Sequence, residues 1–177
     1  LQREVGPGVR ILETGEPVPA AKELRKARSL GAHAGRVLPL LGQANMLQGR
    51  AKELLDDIPA DQAKGSAPLL ALRGDALLVT GKPDEAKAAF DAALAIDPNL
   101  GAALLGMARY AMLNNDRAGA ERMLAEALAK DPKNPDVWMA HGSMLRTNNK
   151  SDEAVAAYDE ALKLKPNYRD AFIEKAY

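Results

Sequence analysis

No cysteine occurs among the 177 residues, which excludes a disulfide framework and thiolate metal sites and leaves the redox compartment open. Aromatic residues are scarce at 4%, and alanine and leucine dominate an apolar fraction of 47%. Such a mixture suits closely packed helices better than a β-sandwich, which calls for Val, Ile, Thr and aromatic side chains. Net charge is also missing: 24 Lys and Arg balance 24 Asp and Glu. No overall field therefore favours nucleic acid or an anionic membrane, and no block of like charge stands out. No apolar run approaches the roughly 20 residues needed to span a bilayer. A signal peptide is not visible either. The chain opens on Leu1, and its last pattern stops abruptly at Tyr177, so it reads as a piece of something longer.

What the sequence does have is self-similarity. Pro98, Pro132 and Pro166 stand 34 residues apart, and Ala86, Ala120 and Ala154 repeat that interval. Ala93, Ala127 and Ala161 do so again, each followed by leucine. One large apolar position is held by Phe90, Leu124 and Tyr158, another by Leu70, Leu104, Trp138 and Phe172. Gly74, Ala108, Gly142 and Ala176 mark a small position. Coincident ladders of this kind mark repeated helix pairs that bury their faces only by stacking. The first helix of a pair is expected at about 101–114 and the second at about 117–130. Pro98, Pro132 and Pro166 should end second helices, because the residue before proline is pushed out of the helical region. Pro83, followed by Asp84 and Glu85, suits a helix start, and Ser151 suits an N-cap.

Towards the N-terminus the ladder loosens. Gly8, Gly42 and Gly74 continue the small position at intervals of 34 and 32, as do Gly15, Gly49 and Gly81 at the turn. A second helix is expected over Ala20–Leu30. Pro59 should stop the next one near Ile58, leaving Asp61–Ser66 as a polar loop. Gly6-Pro7-Gly8 should break any helix in the first 14 residues, which are expected to be short, distorted or disordered.

The series Trp138, Gly142, Leu145, Ala154, Tyr158, Ala161 and Pro166 resembles the tetratricopeptide-repeat (TPR) signature, which is specific for a fold and nearly silent on function. The resemblance implies an all-α, right-handed superhelical solenoid of antiparallel helix pairs. Its units would be 1–34 (degenerate), 35–66 (shortened), 67–100, 101–134 and 135–168, with 169–177 opening another. That amounts to four full or near-full pairs plus the opening helix of a fifth. A narrower likeness lies in residues 21–27, 36–41, 53–56 and 70–76, which resemble the TPR lipoproteins of bacterial PEP-CTERM/exosortase systems. Those proteins are exported and encoded with exopolysaccharide genes. The implied location is periplasmic or outer-membrane-associated, with the cytoplasm as alternative.

Chemistry has little to stand on. His33 and His141, the two histidines, have no partner at metal-ligand spacing; His141 reads as a packing residue and His33 as a solvated turn residue. Ser29, Ser66, Ser143 and Ser151 lack the base and acid of a nucleophilic site. Asp56-Asp57 reads as a solvated helix end. Gly6-Pro7-Gly8 lacks the lysine and preceding strand of a phosphate loop. No catalytic, metal or cofactor site is expected.

The family resemblance instead implies a binding groove lined by the first helix of each unit. Its positions are Pro39, Gln43, Met46 and Leu47, then Ala71, Asp75, Leu78 and Val79. Leu105, Arg109, Met112 and Leu113 follow, and then Met139, Ser143, Arg146 and Thr147. This set is mainly apolar, with adaptable methionines, although Met46 and Met112 could equally pack between helices. It lacks the Lys/Asn set by which chaperone adaptors clamp a terminal carboxylate. The expected function is a non-catalytic scaffold for a protein or peptide in a bacterial exopolysaccharide or export system. Alternatives are a regulatory arm of an enzyme such as a glycosyltransferase, or a module that self-associates through its exposed ends. Neither nucleic-acid binding nor membrane insertion is expected.

Overall fold

Residues that cannot continue a helix divide the chain into short rods. The computed structural model describes residues 6–175, and these hold twelve helices and no strand. In order they are α1 (Gly6–Glu13), α2 (Pro17–Ser29), α3 (Ala34–Leu47), α4 (Ala51–Asp57), α5 (Ala60–Ala63) and α6 (Ala67–Val79). Then come α7 (Pro83–Ile96), α8 (Gly101–Leu113), α9 (Arg117–Lys130), α10 (Pro135–Thr147), α11 (Ser151–Leu164) and α12 (Arg169–Lys175). The helices α7, α9 and α11 each stop two residues short of Pro98, Pro132 or Pro166, as the steric restriction before proline requires. Pro83 is the first residue of α7, with Asp84 and Glu85 in its first turn.

The turn inside each pair is built the same way five times. Gly15, Gly49 and Gly81 have φ of +80°, +68° and +78°, and Asn115 and Asn149 take the same left-handed conformation at +59° and +60°. Glycine adopts it without a Cβ clash, and asparagine is among the few other residues that tolerate it. The chain thus reverses after one helix and packs the next against it.

Two compact units meet in sequence at Ile96 and Asp97. In the first, α1 pairs with α2, α3 with α4, and α6 with α7; in the second, α8 pairs with α9, α10 with α11, and α12 rests on α11. Each pair is closed by a small residue facing a large one sixteen positions later. A Cβ placed on Gly74 would lie 2.7 Å from Phe90 Cδ1, and one on Gly142 would lie 2.6 Å from Tyr158 Cδ1. Gly8 meets Leu24 and Gly42 meets Ile58 in the same manner. In α8 and α9 the equivalent pair is Ala108 and Leu124, both buried. The smaller leucine leaves room for the methyl group that Phe90 and Tyr158 exclude.

Several expectations from sequence need correction. The first unit carries both helices, giving five pairs plus α12. Gly6-Pro7-Gly8 starts α1 instead of breaking it, since proline lacks only a donor that the first turn leaves unused, and Gly8 gains its place against Leu24. Residues 1–5, Ala176 and Tyr177 lie outside the described residues. The expected polar loop at Asp61–Ser66 begins inside a single helical turn, α5. Ser151 is the first residue of α11 and makes no capping bond. Caps are instead supplied by Asp116, which accepts from Gly119 N at 2.8 Å, and by Asn134, which accepts from Asp136 N at 3.0 Å. Trp138 is half-buried rather than enclosed, and its Nε1 donates to the Pro132 carbonyl at 2.8 Å.

Asp57 departs furthest from expectation. It sits at the end of α4, which Pro59 cuts short, and accepts hydrogen bonds from Arg25 Nη2 at 2.8 Å and Asn45 Nδ2 at 2.9 Å. Asn45 is the one fully buried polar side chain among the described residues. Its Oδ1 accepts from the same arginine at 3.2 Å. The truncated helix end leaves carbonyls without helical partners, and arginines from both neighbouring helices reach them. Arg28 of α2 donates to the Asp57 carbonyl at 3.0 Å; Arg73 of α6 donates to the carbonyls of Leu55 and Ile58. This polar knot fixes α4 where the repeat has lost residues.

Candidate peptide-binding face

The first helix of each pair has one stripe turned to its partner and another left open. In the first unit the open stripe of α3 and α6 includes the exposed Gln43 and the half-buried Asp75 and Leu78. Near the helix ends, Leu47 is 57% exposed and Val79 66% exposed. Met46 packs on the core cluster around Leu38 and Leu54, so the packing alternative holds for that methionine.

In the second unit the equivalent residues divide sharply. Leu105 is buried in α8, whereas Met112 is 45% and Leu113 63% exposed in its last turn. Met139 packs with Trp138 against the cluster containing Tyr158. Ser143 Oγ donates to the Met139 carbonyl at 3.1 Å, and Thr147 Oγ1 to the Ser143 carbonyl at 2.9 Å. Arg146 reaches forward to α12, where its Nη2 lies 2.9 Å from Glu174 Oε2. The Tyr158 hydroxyl foremost, and then Glu174, raise the Arg146 pKa above its ordinary value. That hydroxyl is itself buried and makes no hydrogen bond of normal geometry. Arg109 is exposed and also interacts within the chain.

A second bridge runs parallel to the Arg146 pair. Tyr168 Oη donates to Asp136 Oδ1 at 2.6 Å, and Lys165 Nζ sits 4.4 Å over the Tyr168 ring. Burial foremost, then the Asp136 carboxylate, pushes the Tyr168 pKa upward. Ile173, absent from the expected groove positions, lies 34 residues after Met139 at the same repeat position and is 45% exposed. The repeat interval alone would have found it.

Both histidines hold structural positions. His33 is exposed and its Nδ1 accepts from Gly35 N at 3.2 Å, capping α3. His141 meets Trp138 edge to face, with ring centroids 6.3 Å apart, and burial holds its pKa below the ordinary value. Among the described residues no group of three or more His, Asp or Glu could hold a metal ion. No helix among them is long and apolar enough to cross a membrane.

Comparison with known proteins gives the repeat its family. A profile described as tetratricopeptide repeat matches residues 77–144, and a second of the same description matches 135–168. No curated protein matches the chain. Among solved structures, the thermophilic TPR protein TTC0263 of Thermus thermophilus superposes with a TM-score of 0.83 at 19% identity, covering 99% of this chain and 96% of that one. MamA gives 0.59 at 16% identity over 92% of this chain and 96% of its own. YrrB, described as a TPR protein with an unusual peptide-binding site, gives 0.56 at 17% identity over 98% and 91%. At these identities the likeness is one of fold.

Proposed function

From a chain that is a tetratricopeptide-repeat protein, we propose a non-catalytic scaffold that holds a protein or peptide against the open stripes of its first helices, those of α3 and α6 in the first compact unit and those of α8 and α10 in the second, each unit taken by itself. The observation that carries this reading is an apolar position with no role in the core. Leu47, Val79 and Leu113 occupy one register of the repeat, and each is more than half exposed. Apolar side chains left in water at one repeated position of the chain suit an interaction site. YrrB's described peptide-binding site is consistent with this use of the fold. The contact residues proposed are Gln43, Asp75, Leu78, Arg109, Met112, Leu113, Met139, Ser143 and Arg146, with Leu105 supporting them from beneath.

Titration of a candidate partner against single variants tests the face. Leu113→Glu and Val79→Glu should weaken binding about tenfold or more and leave the melting temperature unchanged. Lys87→Glu, on a helix outside the proposed face, should leave affinity intact. Loss with Lys87→Glu and none with the other two would reject the assignment.

The setting we propose is a bacterial exopolysaccharide or protein-export system, on the periplasmic or outer-membrane side. Its support is the phrasing of residues 21–27, 36–41, 53–56 and 70–76. Cell fractionation of the native protein tests the location, and recovery from the cytoplasm alone would reject it. A regulatory arm of a glycosyltransferase would appear as a nucleotide-sugar domain in the full-length gene.

A further inference from the structure

The open face of the second unit offers a ligand less charge than its sequence suggests. Arg146 is the residue that an acidic partner would be expected to seek, yet its guanidinium already faces the Glu174 carboxylate at 2.9 Å. An incoming carboxylate would have to displace Glu174 and then sit beside it, and like charges at such range repel. Arg109 is also engaged within the chain. The Ser143 and Thr147 hydroxyls donate to carbonyls of their own helix, and Asp136 accepts from Tyr168. Beside these pairings the same helices expose apolar side chains: Met112, Leu113 and Ile173 are 45%, 63% and 45% exposed.

We propose that the face formed by α8, α10 and α12 takes an uncharged, apolar stretch of polypeptide and discriminates against acidic segments. The proposal rests on the binding reading above and adds the chemistry of the ligand. Met112, Leu113 and Ile173 supply the contact area, with the thioether of Met112 adapting to irregular side chains. The Arg146–Glu174 pair acts as a neutral border that keeps α12 beside α10.

A display library of randomised 12-residue peptides, selected on the immobilised full chain, tests this directly. The selected pool should be enriched in Leu, Ile, Met and Phe and depleted in Asp and Glu relative to the starting library. Its binding should fall about tenfold or more with Leu113→Gln and change little between low salt and about 0.5 M salt, since no charge is recognised. Met112→Gln serves as a second readout, with circular dichroism confirming that each variant remains helical. A pool rich in Asp and Glu, or binding abolished at about 0.5 M salt, would overturn the apolar selectivity while leaving the face in place as a binding site. A pool of any composition that binds Leu113→Gln and Met112→Gln undiminished would reject the face itself. Failure to enrich any peptide would count against both.

Discussion

Asp57→Ala should loosen the first unit by an amount that the polar knot allows to be worked out. The substitution removes the acceptor of two hydrogen bonds, from Arg25 Nη2 at 2.8 Å and Asn45 Nδ2 at 2.9 Å. Arg25 is partly exposed and keeps Glu53 at 3.2 Å, so water and Glu53 replace most of what it loses, at a cost of about 0–1 kcal/mol. Asn45 has no such recourse. Its amide is fully buried, and an orphaned buried donor costs about 1–3 kcal/mol. The sum centres on about 2.5 kcal/mol, a factor of about 70 in the local opening equilibrium.

Glu53→Ala removes the more exposed member of the same cluster and should stay within about 0.5 kcal/mol. Adding Asn45→Leu to Asp57→Ala deletes the stranded donor at similar volume and should recover part of the loss, a coupling on the order of 0.5–3 kcal/mol. Amide hydrogen exchange is the suitable assay, because stacked repeats open unit by unit and a single melting temperature averages over them. Protection should fall in α2, α3 and α4 and be unchanged in α8 to α11. Equal effects of Asp57→Ala and Glu53→Ala, or a loss spread evenly over the chain, would refute the reasoning.

Gly142→Ala should destabilise by about 1–3 kcal/mol despite alanine's better helix propensity, because its methyl group would lie 2.6 Å from Tyr158 Cδ1. Adding Tyr158→Leu reproduces the Ala108/Leu124 pair of α8 and α9 and should recover much of that in urea denaturation. Trp138→Ala should cost about 1–3 kcal/mol in the same assay, less than the roughly 3–5 of a fully enclosed ring, since Trp138 is half-buried. Asn149→Gly should be neutral or mildly stabilising at φ +60°, whereas Asn149→Val should cost about 1–2 kcal/mol in thermal melts. Burial foremost holds the His141 pKa down, with Lys150 assisting and Glu153 opposing. The unfolded chain therefore binds this proton more readily. The His141 contribution to stability is full above an unfolded pKa of about 6.5 and is lost as pH falls through the lower folded value. Melting temperature against pH should fall less steeply in His141→Gln below pH 6.5.

The helices were legible because proline, glycine and apolar spacing act locally, within a turn or two of where they stand. The expected helices at about 101–114 and 117–130 correspond to Gly101–Leu113 and Arg117–Lys130. The polar knot was not legible, because its bonds join residues 12 to 32 positions apart, a separation that periodicity does not register. A signal was present: Asn45 lies on the apolar stripe of α3, between Ala44 and Met46, where an unpaired amide would be costly. Along the sequence Asp57 has only the adjacent carboxylate of Asp56 beside it, whereas its buried partner Asn45 stands on another helix. Ser151 failed as a cap because α11 starts on it, one residue earlier than a capping serine requires.

Exposure along the predicted stripe was not legible in the sequence. Leu105 and Met112 are seven residues apart, two turns of one helix, and so share a stripe. Yet Leu105 is buried and Met112 open, because what covers a stripe is the neighbouring helix and not the stripe's own sequence. The register of Leu47, Val79 and Leu113 supplies the stronger inference. In α10 that register is held by Thr147, which is exposed and whose hydroxyl turns back to its own helix. A threonine there leaves α10 a full helix of thirteen residues, so folding does not require an apolar side chain at this position. Under the binding proposal, leucine or valine in the other three helices stabilises a complex and not the fold, because an exposed apolar group gains free energy only when another surface removes it from water.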